Sequence, residues 1–529
     1  MVQQRSVNPA SPFPFATVQS HDLQGMKRGI ERESLRMQSN GFLSQAPHPI
    51  GLGSALTHPK ITTDYSEALM EFITSPKDTI AQALDELRDI HHVVYQHLAE
   101  GEKLWSMSMP CMLDEQEENI PLAYYGTSNI GRFKTLYRRG LGVRYGRRMQ
   151  TIAGVHYNLS FPEQLFIKLQ QQEQDEQLKQ LSLQDYRSHR YFGLIRNFIR
   201  LVPLVMYVIG ASPAVCRCFL TGRTHHLQDF VQGSLYLPNA TALRMGNLGY
   251  QNTAQKQLGI HYNDLHGYLT GLQAAVHSKF AAFTALGLND EQGEPIQIND
   301  HILQIENEYY SLIRPKQIPQ AGETPSQALA NRGVAYVELR AVDINPYSDI
   351  GVDEQTAGFL ESLALYCLLS ESPIISAQEQ ALIDQQQNDV VNRGREQDLM
   401  LHTLQGDVSF QSWATAHLQA IQHMATWLDD MTQSDVYQNA VQTMLQRVAQ
   451  HEMTLSAKIL QDIQQHGSTW KFGHALAVQH YQTFQAENVD KSAVYQHYQQ
   501  LAAQSLQQQQ QLEQETQVSF ADYVQNYRS

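Results

Sequence analysis

The spacing of apolar residues predicts where the long helices of this chain lie. Between residues 78 and 104, apolar side chains recur every three or four positions after an acidic start, which indicates an amphipathic helix. Residues 191–210 and 354–369 are rich in apolar side chains, as in helices buried in a core. The most apolar run, Leu201–Ala211, is too short to span a bilayer, so we interpret it as part of a core helix.

Strict alternation of apolar and polar residues predicts strands. Over 151–161 the chain alternates after Gly154, so that His156 and Asn158 face one side and the apolar residues face the other. Further strands are expected over 296–313 and 333–345, with shorter pieces between Gly and Pro turns over 23–74.

Changes in composition divide the chain into three parts. Residues 1–20 form a tail without the apolar stretch of a signal peptide. Residues 21–372 mix strand and helix patterns, as expected of a sheet-plus-helix core. Residues 373–529 are rich in Gln and helical in pattern, so we expect a helical region packed on that core. A Gln-rich helical stretch over 165–185 is expected to be a surface insertion.

The charge balance limits the kinds of partner that the protein can bind, and the cysteines indicate its cellular compartment. The 529 residues carry a formal net charge of −15, which argues against a nucleic acid or an anionic membrane as partner. Cys216 and Cys218 are too close for the usual redox or zinc pattern, and neither Cys111 nor Cys367 has a second cysteine at zinc spacing. We therefore expect buried free thiols and a cytoplasmic location.

Two acidic residues, Glu31 and Glu33, lie two positions apart in the apolar-flanked segment 29–36. On a helix they would point about 200° apart, whereas on a strand they share one face, where like charges repel. A cation between them would offset that repulsion, and oxygen ligands without thiolates select a hard ion, Mg²⁺ or Mn²⁺. The alternative is an exposed strand with solvated charges.

A second acidic pair follows at Glu67 and Glu71. Residues four apart share a face on a helix and also on a strand, whereas Asp64 joins them only on a helix. These carboxylates could therefore belong to the same site as the first pair. The alternative is one exposed stripe of an amphipathic element.

Charged residues also mark the later strand patterns. Glu338 and Arg340 share one face of the strand predicted over 333–345, as site residues or as a structural ion pair. A further Glu-x-Glu pattern at 306–308 is either part of a site or a pair of solvated charges on a strand edge. His156 shares its face with Asn158, which makes a site role as plausible as a structural one.

The segment 131–148 is a basic patch in an acidic chain. A solvated basic face and nucleic-acid binding are alternatives, but the remaining charge favours a nucleoside triphosphate, whose oxygens Arg and Lys neutralise. The sequence contains no Walker loop and no dinucleotide fingerprint, so ATP would be held by side chains and metals on a sheet. Acids on several strands beside such a patch are typical of a multi-metal phosphoryl-transfer site.

Seven blocks of the chain then stand out together: GIERESLR at 29–36, LGSALTH at 52–58, ITTDYSEAL at 61–69, YGTSNIGRFKTLYR at 125–138, GVHYN at 154–158, DINPYS at 343–348 and IGVDEQ at 350–355. In this order they resemble the glutamate–cysteine ligase family, also called gamma-glutamylcysteine synthetase, of the gamma-proteobacterial type. The resemblance covers residues 23–370 in strong blocks and the last third of the chain weakly.

The resemblance implies an α+β fold related to glutamine synthetase, in which a curved, mainly antiparallel sheet holds metals on its concave face and is wrapped by helices. It also implies a reaction: ATP phosphorylates the γ-carboxylate of glutamate, and the amine of cysteine displaces phosphate in the first step of glutathione synthesis. Mg²⁺ or Mn²⁺ would be the cofactor. Without a motif for a second ligase module, we expect a mono-functional enzyme, and we expect a monomer.

The resemblance further implies roles for single residues. The implied metal ligands are Glu31, Glu33, Asp64, Glu71, His156 and Glu338. The implied ATP-phosphate ligands are Lys134, Arg138 and Arg340, the last two also as catalytic residues, and Arg244 would bind the α-carboxylate of glutamate. The cysteine pocket would contain Tyr137, Tyr250 and Tyr310, together with Tyr65, where relatives often have Phe. Whether Glu67 is a ligand or a bystander is left open.

Two other functions fit parts of the pattern. One is a carboxylate–amine ligase of the same fold with another amine acceptor, since a thiol pocket needs only a small apolar and aromatic lining. The other is a non-catalytic ligand-binding relative, which an intact set of ionisable ligands disfavours. Release of ADP with glutamate and each candidate acceptor distinguishes these functions.

Overall fold

The computed structural model describes residues 18–246, 248, 258–320, 322–487, 491–515 and 518–528. The strands within these ranges are β1 Lys27–Met37, β2 Ile61–Thr63, β3 Leu69–Ile73, β4 Lys103–Leu104, β5 Val155–Ser160, β6 Ala214–Cys216, β7 Gln228–Asp229, β8 Ser234–Tyr236, β9 Ile313–Lys316, β10 Tyr336–Val342, β11 Met400–Thr403 and β12 Gly406–Ser409.

Helices occupy most of the remaining chain, and several begin at a Ser, Thr or Asp whose side chain accepts a hydrogen bond from the first turn. They are α1 Ile80–His97, α2 Asn129–Tyr145, α3 Glu163–Gln172, α4 Glu176–Lys179, α5 Leu183–Val208, α6 Leu265–His277, α7 Ala281–Leu286, α8 Pro325–Arg332, α9 Glu354–Leu369, α10 Ala377–Arg393, α11 Phe410–Thr432, α12 Val436–Ala449, α13 Leu455–His466, α14 Thr469–Ala486, α15 Lys491–Gln514 and α16 Phe520–Arg528.

A seven-stranded sheet forms the centre of the molecule, with six strands in the order β2-β3-β1-β5-β10-β9. All neighbours in this order are antiparallel, and β4 pairs with the end of β1. Ile30, Tyr157 and Leu339 lie side by side on three adjacent strands and are at most 1% exposed. Because side chains alternate along a strand, this apolar face leaves the other face free for polar groups.

A buried ion pair connects the sheet to α9. Arg28 on β1 donates two hydrogen bonds, of 2.8 and 2.9 Å, to the carboxylate of Glu361. The hydroxyl groups of Tyr157 and Tyr437 donate to the same carboxylate at 2.6 and 2.8 Å. This network joins β1, β5, α9 and α12 at one point beneath the apolar face.

Helix α5 confirms the expected core helix around 201–211. It is long and apolar enough to cross a membrane, but 89% of its most apolar stretch is buried inside the molecule. It packs against β9, β10 and α9. The predictions of α9, β5 and β10 are likewise confirmed, with ends within about four residues of the expected ranges. Helix α1 is confirmed too, but it ends at His97 rather than at 104, because the chain turns there and enters β4.

The part of the chain after residue 373 packs on the core at several places. Helices α11 and α12 contact α9, α14 contacts α1, and α16 contacts α2. The region is not entirely helical as expected, because β11 and β12 form a hairpin between α10 and α11. The boundary at 372/373 itself stays a prediction.

Two other expectations are wrong. Over 296–313 the chain forms turns and a short 3-10 helix at Glu306–Glu308, and β9 begins only at Ile313. The alternation there came from buried loop residues rather than from a strand. The stretch 165–185 is not a simple surface insertion either, because α3 buries Leu165, Phe166 and Leu169 completely.

Candidate functional site

The strand register brings the predicted acids together on the polar face of the sheet. Glu31 on β1 lies opposite His156 on β5, and Glu33 lies opposite Glu71 on β3. Glu338 on β10 lies opposite Asn158 on β5. Directly opposed side chains in antiparallel strands are about 4.5–5.5 Å apart, so residues distant in sequence become neighbours.

His156 lies in the middle of this acidic face. Its Nδ1 is 3.3 Å from Glu31 and 3.7 Å from Glu338, and its Nε2 is 3.7 Å from Glu33. Ligand atoms of Glu31, Glu71 and His156 all lie within 4.8 Å of one another. Two carboxylates and an imidazole at this separation can share one cation.

Electrostatics on this face disfavour the ionised state of one acid in particular. Burial raises the pKa of Glu71 well above its ordinary value, and the charges of Glu31, Asp64 and Glu33 raise it further. Burial also raises the pKa of Glu33. A cation among these groups would reverse both effects, because it stabilises the charged carboxylates.

Glu338 is held differently, by positive neighbours. Its Oε1 lies 3.2 Å from Arg340 and 3.5 Å from Lys316. Although burial opposes ionisation, the charges of Arg340 and Lys316 keep the pKa of Glu338 well below its ordinary value. Its other oxygen is buried without a hydrogen-bond partner among the described residues, as expected of an oxygen left for a ligand.

Helix α2 brings two cations to the β3 edge of the acidic face. Arg138 donates to the backbone carbonyl groups of Asp64 and Lys134, and its guanidinium lies 4.5 Å from the ring centre of Tyr125. The Lys134 ammonium lies 4.6 Å from the same centre. Burial and the charge of Arg138 lower the pKa of Lys134 to about 8. Both cations are therefore desolvated and positioned by one aromatic ring.

Three other arginines of the basic segment have acidic partners. Arg139 pairs with Asp290 and Arg144 with Glu308. Arg148 pairs with Glu117. The segment therefore does not act as one basic patch: Lys134 and Arg138 face the acids, while these three arginines bind neighbouring loops.

Arg244 lies next to the start of β5. Its Nε donates to Asp343 at 2.7 Å, and its Nη2 donates to the carbonyl group of Val342 at 2.8 Å. A Cβ at Gly154 would come within 2.8 Å of the guanidinium, so glycine is needed for this approach. The backbone N–H of Gly154 also donates to Glu33 at 2.7 Å, which links Arg244 to the acidic face.

The four tyrosines predicted for the cysteine pocket lie in different surroundings. Tyr310 lines a cavity of about 750 Å³, and its hydroxyl lies 3.6 Å from the Met245 sulfur. Tyr137 is half-buried on α2, where burial raises the pKa of its phenol. Tyr65 is buried, with its hydroxyl against Gly142. Tyr250 lies outside the described residues.

Three other acids considered as site residues in the sequence form hydrogen bonds away from the acidic face. The Glu67 carboxylate accepts hydrogen bonds from the backbone N–H groups of His48 and Tyr124, so Glu67 does not share a site with Glu71. Glu306 accepts from Ser326. Glu308 accepts from Gln304 and pairs with Arg144, as given above. These carboxylates hold loops in place.

Sequence reasoning missed three residues that support the site. Asn158 donates to Glu31 at 2.8 Å, and its place on the His156 face was the available signal. Lys316 reaches Glu338 through the pairing of β9 with β10, and nothing local in the sequence points to it. Asp343 meets Arg244 through tertiary packing, and its place at the start of the DINPYS block was the available signal.

An antiparallel sheet with clustered carboxylates, an imidazole and desolvated cations at its rim fits the class of enzymes that transfer phosphoryl groups with the help of metal ions. A family model described as Glutamate-cysteine ligase matches residues 15–390. Relatives named glutamate–cysteine ligase from Saccharophagus degradans and Alcanivorax borkumensis are 42% and 44% identical over 96% of this chain, covering 94% and 96% of their own lengths. The chain belongs to the glutamate–cysteine ligase family.

Solved structures agree with this assignment. The glutamate–cysteine ligase of Francisella tularensis in complex with AMP aligns with a TM-score of 0.88 and 34% identity, over 95% of this chain and 97% of that chain. A bifunctional glutathione synthetase from Pasteurella multocida shares the fold, with a TM-score of 0.69 and 21% identity over 56% of its length. The chain is accordingly an ATP-dependent ligase.

Proposed function

We propose that this enzyme joins the γ-carboxylate of glutamate to the amine of cysteine through a γ-glutamyl phosphate. A γ-carboxylate oxygen forms a bond to the γ-phosphorus of ATP, and ADP leaves. The cysteine amine then attacks the acyl carbon, the C–O bond to phosphate breaks, and the amine proton passes to solvent. The products are gamma-glutamylcysteine, ADP and phosphate, which is the first step of glutathione biosynthesis.

The observation that carries the proposal is the cluster of Glu31, Glu71 and His156 on the sheet. These residues fit a divalent cation, and Glu33, Glu338 and Asp64 would complete its surroundings. We assign Mg²⁺ or Mn²⁺ from the oxygen-rich donor set. Such a cation, when bound, neutralises negative charge on the phosphoryl oxygens. Activity should disappear when EDTA is added and return when Mg²⁺ is restored. Full turnover in EDTA would contradict the assignment of a metal ion to this site.

Arg340, Lys134 and Arg138 would orient the triphosphate. Arg340 lies 3.2 Å from Glu338 and 3.4 Å from the His156 ring, so its guanidinium reaches the middle of the acidic face. Lys134 and Arg138 approach from the opposite edge. Cations on two sides of the phosphates would hold the γ-phosphoryl in line with the glutamate carboxylate, which is the main protein contribution to such reactions.

Arg244 would bind the α-carboxylate of glutamate. Its Nε and Nη2 are held by Asp343 and the backbone, which orients the guanidinium, and burial beside Gly154 makes a charge-assisted contact strong. The cavity at Tyr310 would accept cysteine, because it adjoins Met245 next to Arg244 and has aromatic walls. Tyr137 and Tyr65 are not among the residues that line this cavity, so their place in the cysteine pocket stays a prediction.

Isotope transfer tests the mechanism. With ¹⁸O in both oxygens of the glutamate γ-carboxylate, one label should appear in the released phosphate. Retention of all label in the dipeptide, or cleavage of ATP to AMP and pyrophosphate, would rule out the acyl phosphate. ADP release with each amino acid as acceptor would separately identify the amine. Cysteine should give the highest kcat/KM, and a higher value with another amine would indicate a different ligase on this fold.

We also propose a monomer in the cytoplasm. The described cysteines are free and mostly buried, which fits a reducing compartment. Sedimentation of the purified enzyme should give a mass near 60.1 kDa, and twice that mass would contradict the monomer.

A further inference from the structure

Three cysteines that are separate from the acidic face converge at one point. Cys111 lies in the loop after β4, Cys216 ends β6, and Cys218 follows in a 3-10 turn. Their sulfur atoms all lie within 4.8 Å of one another, and those of Cys216 and Cys218 are 3.0 Å apart. Cys111 and Cys216 are buried, and Cys218 is half-buried.

Backbone N–H groups lie beside two of these sulfurs, although burial raises the pKa of the Cys111 thiol, and the hydrogen bond to Cys216 and burial raise that of Cys218. The N–H of Leu113 donates to the sulfur of Cys218 at 3.4 Å. The N–H groups of Met112 and Cys218 donate to the sulfur of Cys216. The N–H groups of the successive residues Met112 and Leu113 thus face two different sulfurs, and Met112 adopts a left-handed φ of 54° at this turn.

A positive charge lies beside the cluster as well. Arg148 donates to the carbonyl oxygen of Cys218, so its guanidinium is next to the turn that carries this thiol. Because Arg148 is also paired with Glu117, this contact positions the turn that carries Cys218 rather than supplying an unpaired positive charge.

We propose that Cys111, Cys216 and Cys218 form a binding site for one thiolate-preferring metal ion, Cu(I) or Zn²⁺. With metal–sulfur bonds of about 2.3 Å, three sulfurs around one ion are about 3.8–4.0 Å apart, so the observed separations need to change by roughly 1 Å or less. Each thiol that is still protonated releases its proton to solvent as its sulfur binds. Soft sulfur donors select these ions over Mg²⁺, so the site is distinct from the carboxylate cluster.

A disulfide explains the arrangement less well. It would use two of the three sulfurs and would gain nothing from backbone N–H groups aimed at negative sulfur. A metal ion uses all three sulfurs and keeps the N–H donors. It would also tie the loop after β4 to the end of β6, four residues beyond Ser212, whose hydroxyl donates to Asp343 at 2.7 Å.

The test uses the full-length, reduced enzyme, stripped of transition metals and then kept in saturating Mg²⁺ so that the acidic face holds a hard cation. Cu(I) under anaerobic conditions, and Zn²⁺ in a parallel experiment, are titrated against a chromophoric chelator. One equivalent of at least one ion should bind, and X-ray absorption at the metal edge should show three sulfur neighbours. The two titrations decide which ion binds more tightly.

Variants identify the ligands. Cys218→Ser and Cys216→Ala should each weaken binding by at least about 100-fold, since losing even an outer partner of a metal ligand costs 10–100-fold. Cys367→Ala, which removes a buried thiol on α9, should bind like the parent, and so should Glu71→Gln. Bound metal should raise Tm by a few °C in the parent and not in Cys218→Ser.

The proposal is overturned if the parent binds less than a tenth of an equivalent, or if the bound ion has no sulfur neighbours. Unchanged affinity in Cys218→Ser would also overturn it. The absorption measurement needs no variant, so a misfolded substitution would not obscure the answer.

Discussion

At the residue scale, His156 shows how the sheet concentrates charge. Three carboxylates lie 3.3–3.7 Å from its ring nitrogens, and Arg340 approaches the same ring at 3.4 Å. Such proximity costs free energy in the absence of a ligand, because repulsion and desolvation act on the same groups. Two substitutions separate binding of a cation from binding of phosphate.

Arg340→Lys should lower kcat by about 10²–10³-fold, the range seen when one donor to a developing negative charge is removed. Lysine keeps the charge but loses the planar fork that contacts two oxygens at once. If Arg340 binds ATP without contacting the transferring group, KM for ATP rises instead. Steady-state kinetics distinguish these outcomes. Arg139→Lys, in the same basic segment but paired with Asp290, is the matched control and should stay within about twofold; parental kinetics in Arg340→Lys would exclude this residue from the site.

Glu71→Gln should abolish most activity yet raise Tm of the metal-free enzyme by a few °C, because it removes a buried carboxylate that three other acids repel. Thermal unfolding with and without Mg²⁺ measures both effects. Glu67→Gln is the control outside the acidic cluster: burial raises its pKa, but no acid repels it and two backbone N–H groups donate to it, so Tm should rise less than in Glu71→Gln or fall. A lower Tm for metal-free Glu71→Gln would show that repulsion there is unimportant.

At the element scale, the position of β1 depends on α9. The Arg28–Glu361 pair is completely buried, and two tyrosine hydroxyl groups share the carboxylate. Because β1 is the central strand that carries Glu31 and Glu33, this contact beneath the sheet supports the site above it. A buried pair adds little net stability over an apolar pair, but losing one partner leaves a charge without compensation.

Arg28→Met should therefore lower the free energy of unfolding by about 3–5 kcal/mol. Urea denaturation followed by circular dichroism measures the change. Lys27→Met, next in sequence, removes an exposed pair with Asp78 and should cost less than about 1 kcal/mol. Equal losses in the two variants would mean that burial of the Arg28 pair does not matter.

At the scale of the whole molecule, packing of the C-terminal helices buries several histidines. His417 on α11 is 5% exposed near Tyr366 of α9, and burial lowers its pKa to about 4. Burial also lowers the pKa of His480 on α14 and of His58 to about 4. These residues stay neutral in the fold but become charged in the unfolded chain near pH 6.5, so acid favours unfolding.

The pH dependence follows from that sign. Above about pH 6.5 the histidine is neutral in both states, so its lowered pKa does not change the free energy of unfolding. Below that pH the free energy of unfolding falls, until the pH reaches the pKa of about 4 that the histidine has in the folded state. Between pH 8 and pH 5 the parent should lose about 2 kcal/mol more than His417→Gln. Urea denaturation at both pH values measures this difference. His402→Gln, on the exposed hairpin, should lose as much stability between the two pH values as the parent. If His417→Gln also loses as much as the parent, the lowered pKa of His417 is not a source of the pH dependence.

The sequence by itself determined the alternation of β5, the apolar helices α5 and α9, and the spacing that puts Glu31 and Glu33 on one face. These features are local, because strand and helix periods depend only on neighbouring residues. The seven sequence blocks added the family. The same local reasoning failed over 296–313, where buried loop residues imitate the alternation of a strand.

Only the tertiary structure decided which charges meet. Glu67 and Glu71 share a periodic face in the sequence, yet backbone N–H groups bind Glu67 while the register of β3 with β1 brings Glu71 to Glu33. Lys316 reaches Glu338 only through the pairing of β9 with β10. The convergence of Cys111 with Cys216 was equally invisible, because no sequence period connects residues brought together by long-range packing.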